Sequence, residues 1–310
     1  MALNKISGEW DDLLLTDLMS ELKTMGFDTE LTGFSMDEIE KLFNDNDKSE
    51  VKEDDFDADK AVSEPPFTML GNLWTLGRHS LLVGDSTKAE DVARLMNGNR
   101  ANCCITDPPY NCNITGGSGL KILNDNMSKE QFYNFLFAAF KNIYENLVEG
   151  GAFYCFHSDA EKVNFYNACV NAGFHYSTTC IWVKDSLVLG RQDYQMRHEP
   201  VLYSWKPGEA HKWLSDRKQT TVWDFPRPKK SELHPTMKSI DLIAYPLKNS
   251  TAPNSIVVDL FGGSGSTLIC CGQLDRICFT TELDPKYAGV IVKRYIKQVG
   301  KADAVIVEAI

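Results

Sequence analysis

Residues 107–110, DPPY, bring a carboxylate, two stiff backbone carbonyls and an aromatic ring together. They follow the apolar segment ANCCIT (101–106), which is typical of a strand. Two consecutive prolines must end that strand, because each lacks an N–H and has a fixed φ. Open α/β sheets bind their ligands at the carboxyl ends of their strands. We therefore expect Asp107 to lie in a rigid loop at that edge, facing a flat and polar ligand.

A second informative stretch, SIVVDLFGGSG (255–265), runs from a β-branched strand into a glycine-rich turn, and a helical pattern follows. Glycines allow close backbone approach to a ligand, and the start of the helix presents free N–H groups. The turn matches neither GxGxxG nor a P-loop. Glu282 ends the next strand, ICFTTEL, where it is placed to accept both hydroxyls of a ribose. Together they indicate a nucleoside cofactor without a pyrophosphate, which S-adenosyl-L-methionine (SAM) would satisfy.

The elements that must position these loops alternate from Phe67 onward, as short apolar runs separated by amphipathic stretches. This alternation predicts a mainly parallel α/β sheet covered on both faces. We expect Pro246 to kink or shorten the helix that contains it. The predicted strands are 79–85, 101–106, 151–157, 178–183, 200–205, 255–261, 277–283 and 304–309, and the predicted helices are 88–97, 129–147, 158–172, 237–249 and 285–298.

The N-terminal part has a different composition from the rest of the chain. Residues 1–45 alternate apolar and acidic positions with a helical period, which predicts an acidic helical extension. Residues 46–66 are acidic, poor in apolar residues and end in Pro-Pro, which predicts a linker. Residues 67–310 form the predicted main domain. We expect the main domain to keep its activity when residues 1–65 are removed.

Charge is divided unevenly along the 310 residues, whose formal net charge is −11. Residues 1–65 carry 19 acidic residues and 6 lysines, whereas the other 245 carry 24 acidic and 26 basic residues. The segment 212–230 holds six Lys or Arg and two Asp, interleaved with Trp213, Trp223 and Phe225. Two interpretations stay open: a solvated loop with anchoring aromatics, or a strip that contacts phosphates and bases.

The bulk composition, with 43% hydrophobic and 24% charged residues, is that of a globular protein. The sequence shows neither an apolar run long enough for a membrane helix nor a secretory signal. Its nine cysteines lack metal-ligand spacing and include two adjacent pairs within apolar segments. We expect reduced, mostly buried thiols, no metal site and a cytoplasmic location.

These motifs resemble those of the amino-group DNA methyltransferases. DPPY is similar to their catalytic motif, DLFGGSG (259–265) to their SAM loop, HPTMKS (234–239) to their HPTxKP element and TELDPKY (281–287) to their ribose-binding acid. DPPY precedes the glycine loop, which is the order of the circularly permuted β group. Leu260 and Ser239 depart from the proline that is usual at each position. Residues 1–45 resemble the tail of ParB-like segments fused to such methylases in phage-type genes, and a generic acidic appendage is the alternative.

The resemblance implies a circularly permuted, doubly wound SAM-dependent methyltransferase fold and a set of site residues. Within this fold, residues 206–233 would recognise the target because they are basic, aromatic and inserted between the two halves. The glycine content of the loop 115–120 is typical of a mobile lid, and disorder without function is the alternative. The catalytic candidates are Asp107, Pro108, Pro109 and Tyr110. The cofactor candidates are Asp85, Asp107, Thr236, Lys238, Asp259, Phe261, Gly262, Gly263, Ser264, Gly265, Ser266, Glu282 and Leu283. The DNA-binding candidates are Lys212, Arg217, Lys218, Arg227, Lys229 and Lys230.

An exocyclic amino nitrogen is a poor nucleophile, because its lone pair is delocalised into the ring. Asp107 could accept one of its N–H groups and the Pro108 carbonyl the other, while Tyr110 stacks on a base flipped out of the duplex. An aspartate at 107 favours adenine N6 over cytosine N4 as a family tendency. Methylation at cytosine C5 is excluded because the chain has no Pro-Cys dipeptide, and deamination because it has no PCxxC.

Several alternatives stay open at this point. Related loops methylate cytosine N4, RNA or protein amides, and a module that binds DNA without turnover is a further alternative. His198 and Glu199 are expected to form structural pairs. The resemblance implies double-stranded DNA as partner, with a homodimer and a cognate restriction nuclease as further partners to test.

Overall fold

We analysed a computed structural model that describes residues 50–113, 123–189, 193–227, 237–302 and 305–308, together with scattered positions between 15 and 38. The helices of this part are α1 (Ala58–Ser63), α2 (Ala89–Met96), α3 (Lys129–Asn146), α4 (Lys162–Ala172), α5 (Ile240–Ser250), α6 (Ser266–Gln273) and α7 (Pro285–Val299). Short 3-10 helices cover Thr29–Thr32 and Asp159–Glu161. The lid predicted at 115–120 lies outside the described residues.

All the strands of the described part belong to one sheet. They are β1 (Leu73–Leu76), β2 (His79–Val83), β3 (Ala101–Thr106), β4 (Leu147–Phe156), β5 (His175–Val188), β6 (Met196–Trp205), β7 (Val222–Asp224), β8 (Ile256–Asp259), β9 (Ile277–Glu282) and β10 (Val305–Glu308). Their order is β10-β1-β2-β9-β8-β3-β4-β6-β5-β7. The eight predicted strands are confirmed, and β1 and β7 were not predicted.

The five strands β2, β9, β8, β3 and β4 run parallel and form the centre of the sheet. β6 is antiparallel to both β4 and β5, and β1 is antiparallel to β2 and β10. The mainly parallel α/β fold predicted from the sequence is therefore confirmed. In the parallel centre, every strand end that carries a predicted motif points to the same edge.

Helices cover both faces of this sheet, as the continuous apolar strands require. Buried residues of α5, α6 and α7 pack in one core on one face, and those of α2, α3 and α4 pack in a second core on the other. α3 begins with a capping box, in which Ser128 and Gln131 satisfy each other's backbone N–H. These helices fix the strands from both sides and leave the carboxyl edge open.

Pro246 lies inside α5, and the helix continues beyond it to Ser250. Pro246 therefore does not shorten this helix, and the alternative, that it kinks the helix, stays a prediction. Ile243 and Leu247, on either side of it, are buried in the core. Their packing outweighs the backbone hydrogen bond that the proline removes.

Residues 50–66, predicted as part of a linker, contain α1 and lie against α7. Ala58, Ala61 and Val62 of this segment share a small apolar cluster with Val290. Among the described residues, no helix is both long and apolar enough to cross a membrane.

Candidate active site

The two predicted motifs meet at the carboxyl edge because β3 and β8 are neighbours in the sheet. Thr106 Oγ1 donates to Asp259 Oδ1 at 2.8 Å across 153 residues of sequence. Asp259 also accepts from the backbone N–H of Phe261 at 3.1 Å. Burial raises the pKa of Asp259 to about 6, although the hydrogen bonds from Thr267 and Thr106 lower it in part. Asp259 thus locks the start of the glycine loop to the end of the strand before DPPY.

A cleft of about 190 Å³ opens at this edge, between the DPPY loop, the glycine loop and the start of α5. Thirteen of the predicted site residues line it: Asp107, Pro108, Pro109, Tyr110, Lys238, Asp259, Phe261, Gly262, Gly263, Ser264, Ser266, Glu282 and Leu283. The structure therefore brings most of the sequence-predicted catalytic and cofactor residues into one place.

The glycine loop takes a path that side chains would obstruct. Gly263 and Gly265 have φ of +53° and +84°, in the left-handed region. A Cβ on Gly262 would lie 2.7 Å from Thr280 Oγ1 on β9. Gly265 does not line the cleft but shapes the turn and caps the N-terminus of α6. The loop can therefore lie close to β9 and expose backbone to a ligand.

Glu282 at the end of β9 faces the glycine loop. Its Oε2 accepts from the backbone N–H of Gly263 at 2.8 Å, and its Oε1 from that of Asp284 at 2.8 Å. Burial raises the pKa of Glu282 to about 7, although these two hydrogen bonds oppose the shift. Each carboxylate oxygen has a further lone pair, so the group can accept two more hydrogen bonds from a ligand.

Both carboxylate oxygens of Asp107, the first residue of the DPPY loop, accept hydrogen bonds from side chains of the protein. Oδ1 accepts from the Tyr110 hydroxyl at 2.6 Å, and Oδ2 accepts from Lys238 Nζ at 2.7 Å. Burial raises the pKa of Asp107, and the positive charge of Lys238 partly offsets this. The carboxylate is therefore fixed in orientation and still has lone pairs for a ligand N–H.

Behind Asp107 lie two charged residues that the sequence analysis did not place in the site, Glu199 and Lys184. Glu199 Oε2 lies 3.1 Å from Lys238 Nζ, and Glu199 Oε1 lies 2.5 Å from Lys184 Nζ. The Tyr110 hydroxyl also reaches Glu199 Oε2 at 3.1 Å. Although burial favours its neutral form, Lys238 and Lys184 lower the pKa of Glu199 to about 2. The network thus holds two carboxylates and two ammonium groups.

Lys238 is almost fully buried, with a side-chain exposure of 5%. Burial opposes its charge, but Asp107 and Glu199 outweigh that effect and raise its pKa. Aromatic rings surround it, with centroids 5.0 Å away for Phe156 and 5.4 Å for Tyr110. The resemblance implies a cofactor-binding role for Lys238, whereas in the structure its ammonium group pairs with the carboxylate of the DPPY loop.

Two other cofactor candidates, Asp85 and Thr236, are not among the described residues that line the cleft. Asp85 accepts from the N–H and hydroxyl of Thr87 in a local turn, and the cleft is lined instead by its neighbours Gly84 and Ser86. Thr236 lies outside the described residues. The predicted structural pairing of His198 is confirmed, since its Nε2 lies 3.1 Å from Asp159 Oδ2.

The aromatic residues of the basic segment anchor it to the protein. Trp223, on β7, is buried at 4% exposure, and Trp213 and Phe225 pack against the same core. The interpretation as an anchoring aromatic therefore holds for Trp223, whereas Trp213 and Phe225 pack on the core and stay partly exposed. Arg217 and Lys218 are exposed, and Lys212 and Arg227 are half-buried. Lys229 and Lys230 lie outside the described residues.

Two known protein families match this chain, and one of them covers the residues of the cleft. The model of the N6/N4 DNA methylase family matches residues 101–293, which include DPPY, the glycine loop and Glu282. The chain belongs to this DNA methylase family. The model of the ParB-methyltransferase HTH domain matches residues 13–70 of this methylase, which agrees with the resemblance seen in its N-terminal sequence. That match extends past the predicted end of the extension at residue 45.

Individual proteins that are similar to this chain share about a quarter of their residues with it or fewer. The methylase is 26% identical over 223 residues to the DNA adenine methyltransferase YhdJ of Escherichia coli K12, covering 61% of this chain and 74% of YhdJ. Its fold is similar to that of the M1.HpyAVI–SAM complex, with a TM-score of 0.52, 23% identity and coverage of 69% of this chain and 98% of the other. It is also similar to the cytosine-N4-specific PvuII DNA methyltransferase, with a TM-score of 0.56, 15% identity and coverage of 77% and 94%.

Proposed function

We propose that this methylase transfers a methyl group from SAM to the N6 amino group of adenine at specific sites in double-stranded DNA. The observation that carries the proposal is the placement of Asp107 at the end of β3, in one cleft with the glycine loop and Glu282. Two carboxylates thus line the same cleft: Asp107, which would bind an amino group, and Glu282, which would bind a ribose.

The residues of the cleft fit SAM. Glu282 keeps acceptor capacity for two ribose hydroxyls beyond its bonds to Gly263 and Asp284. Phe261 and Leu283 offer apolar contact, and Gly262 and Gly263 let the backbone come close. The cofactor would supply an electrophilic methyl group carried on a sulfonium.

The DPPY loop would act on the amino group. Asp107 would accept one N–H and the Pro108 carbonyl the other, which draws the nitrogen out of conjugation with the ring and points its lone pair at the methyl group. The negative charge of Asp107 would stabilise the positive charge that develops on the amine as the N–C bond forms and the sulfonium S–C bond breaks. The methylated amine would then lose one proton to water, and S-adenosyl-L-homocysteine would be the second product. Tyr110 would offer its ring as a stacking surface, which requires the base to leave the duplex.

The buried network behind the loop would keep this arrangement rigid. Lys238 and the Tyr110 hydroxyl each hold one oxygen of Asp107, and Glu199 holds both of those groups in turn. Preorganisation of this kind lowers the reorganisation needed in the transition state. We therefore assign Lys238 and Glu199 as positioning residues for Asp107.

Adenine is the proposed target because an aspartate occupies position 107 and because a similar protein, YhdJ, is a DNA adenine methyltransferase. Among the described residues of the recognition segment, Arg217 and Lys218 are exposed, and they would contact phosphates. The homodimer and the cognate nuclease expected from the resemblance stay predictions.

The proposal is tested by transfer of label from methyl-labelled SAM to matched acceptors: duplex DNA, RNA and a mixed protein extract. Label in duplex DNA, with background counts in RNA and protein, is the expected result. Label in RNA or protein, with none in DNA, would contradict it.

A further inference from the structure

Residues 50–64, which we call the strap, contact elements on two sides of the cleft, the helix behind the SAM loop and the start of α5. We propose that the strap positions the SAM loop and the start of α5, with Asp54 and Glu53 as its positioning residues. This inference rests on the proposed function, since it concerns the affinity of the same cleft for SAM. It also reverses the expectation that residues 1–65 are dispensable for activity.

The main contact runs through Arg294 of α7, whose side chain is only 2% exposed. Its Nη1 donates to the backbone carbonyl of Ser264 and to Ser266 Oγ, each at 3.1 Å. Its Nε donates to Asp54 Oδ2 at 2.6 Å. Ser264 and Ser266 line the cleft, so one guanidinium joins the strap directly to the glycine loop.

The position of Arg294 depends mainly on Asp54, because Asp54 is the charged group that Arg294 bonds to in this contact. The groups that Arg294 meets on the loop side, a carbonyl and the hydroxyls of Ser264 and Ser266, are neutral. Removing the carboxylate from a buried ion pair leaves the charge of the guanidinium uncompensated, which is strongly unfavourable. Without Asp54, Arg294 would therefore release the two serines and loosen the loop that faces the cofactor.

A second contact reaches the other side of the cleft through Glu53. Its Oε1 accepts from the backbone N–H of Ile240 at 2.5 Å and from that of Asp241 at 3.4 Å. These are the first N–H groups of α5, which have no partner within the helix. Because α5 begins directly after Lys238 and Ser239, Glu53 fixes the backbone that carries Lys238 into the cleft.

The rest of the strap is attached without touching the cleft. Lys297 Nζ lies 2.6 Å from Asp55 Oδ1, and Lys293 Nζ lies 2.5 Å from Glu64 Oε2. Both lysines belong to α7, the helix that also carries Arg294. The ion pair of Glu64 therefore provides a control for attachment of the strap: it joins the same two elements in a more exposed setting, and Glu64 and Lys293 do not line the cleft.

The experiment compares Asp54→Asn with Glu64→Gln in the full-length chain. Calorimetry gives the SAM Kd, thermal unfolding gives Tm, and steady-state kinetics give KM for SAM and for DNA. We expect Asp54→Asn to raise both the Kd and the KM for SAM by about tenfold and to leave the KM for DNA unchanged. Glu64→Gln should keep wild-type affinity for SAM. Asp54→Glu, which retains the carboxylate, should recover part of the lost affinity and keeps the test usable if Asp54→Asn does not fold.

Unchanged SAM affinity in Asp54→Asn would overturn the assignment, and so would equal losses of affinity in Asp54→Asn and Glu64→Gln. Wild-type binding of SAM separates these results from failure of the proposed function. A wild-type chain that does not bind SAM would overturn the proposed function and this inference together.

Discussion

Lys238 Nζ lies 2.7 Å from Asp107 Oδ2, although 131 residues separate the two in sequence. The pair ties the start of α5 to the end of β3 across the mouth of the cleft. Both side chains are largely removed from water, at 5% and 25% exposure. Removal of either charge therefore changes the protonation and the position of the other.

The first prediction concerns Asp107 itself. Asp107→Ala should lower kcat for methyl transfer by at least ~10³-fold, because the amino group loses both its acceptor and the charge that stabilises it. The SAM Kd should stay within a few-fold of wild type, since the glycine loop and Glu282 remain intact. Single-turnover assays and calorimetry measure the two quantities.

A suitable control for that prediction is Asp275→Asn. Asp275 lies in the turn before β9, at the opposite edge of the sheet, and pairs with Arg78 at 3.5 Å. Its turnover should match wild type. Comparable turnover in Asp107→Ala would refute the role given to the DPPY carboxylate.

The second prediction uses the pH profile of kcat. Burial raises the pKa of Asp107 above its usual range, and Lys238 restrains that rise. Activity requires the carboxylate, so it should increase with pH through the pKa of Asp107. Lys238→Met should move this acid limb upward by ~1 pH unit or more, because it removes the compensating positive charge.

The matching measurement is a kcat–pH curve for both proteins between pH 5 and 9. A Lys238→Met variant with a lower kcat but an unmoved acid limb would show that Lys238 does not act through the charge of Asp107.

The third prediction concerns Glu282 and cofactor affinity. Because burial raises its pKa to about 7, Glu282 gains a proton as pH falls through that value and loses acceptor capacity for a ribose. SAM affinity of the wild type should therefore fall below pH 7. Glu282→Gln should weaken SAM binding by roughly tenfold to a hundredfold at pH 8, because an amide can satisfy only part of the carboxylate's hydrogen bonds.

Calorimetry at pH 6, 7 and 8 measures this directly. The Glu282→Gln variant should show a smaller pH dependence, with a remainder near pH 6 from Asp259, whose pKa is about 6. An identical pH dependence in both proteins would place the titrating group elsewhere.

The fourth prediction concerns the recognition segment. Arg217→Ala and Lys218→Ala should each weaken DNA binding and reduce the slope of log K against log salt by ~0.9, as expected for one phosphate contact apiece. Lys141→Ala is the comparison, because Lys141 lies on α3, where it pairs with Glu145. Equal salt slopes for all of these proteins would locate the phosphate contacts outside this segment.

The elements and most of the cofactor loop were predictable from sequence because their signals are local. A β-branched run such as IVVD (256–259), followed by glycines and a helical pattern, specifies strand, turn and helix within a few residues. β1 (LWTL) and β7 (VWD) escaped prediction because neither is a β-branched run followed by a turn and a helical pattern. Their pairing partners β2 and β5 determine them instead.

The charged network was less predictable because it depends on contacts across the fold. Lys184 and Glu199 lie on neighbouring strands, and neither segment by itself specifies that the two pair with each other or that Glu199 reaches Lys238 beside Asp107. A usable signal was present, since each charge adjoins an apolar run that the sheet buries, where an unpaired charge is unfavourable. The strap was similarly missed, because an acidic composition predicts a linker until the basic face of α7 is known.

The most direct test of the central claim is nucleoside analysis by mass spectrometry of plasmid DNA incubated with the purified protein and isotopically labelled SAM. We predict labelled N6-methyladenine, which would establish substrate and atom together, and its absence with the Asp107→Ala variant. Labelled N4-methylcytosine would contradict the choice of adenine, and DNA without label, from a protein that binds SAM, would contradict the assignment of DNA as substrate.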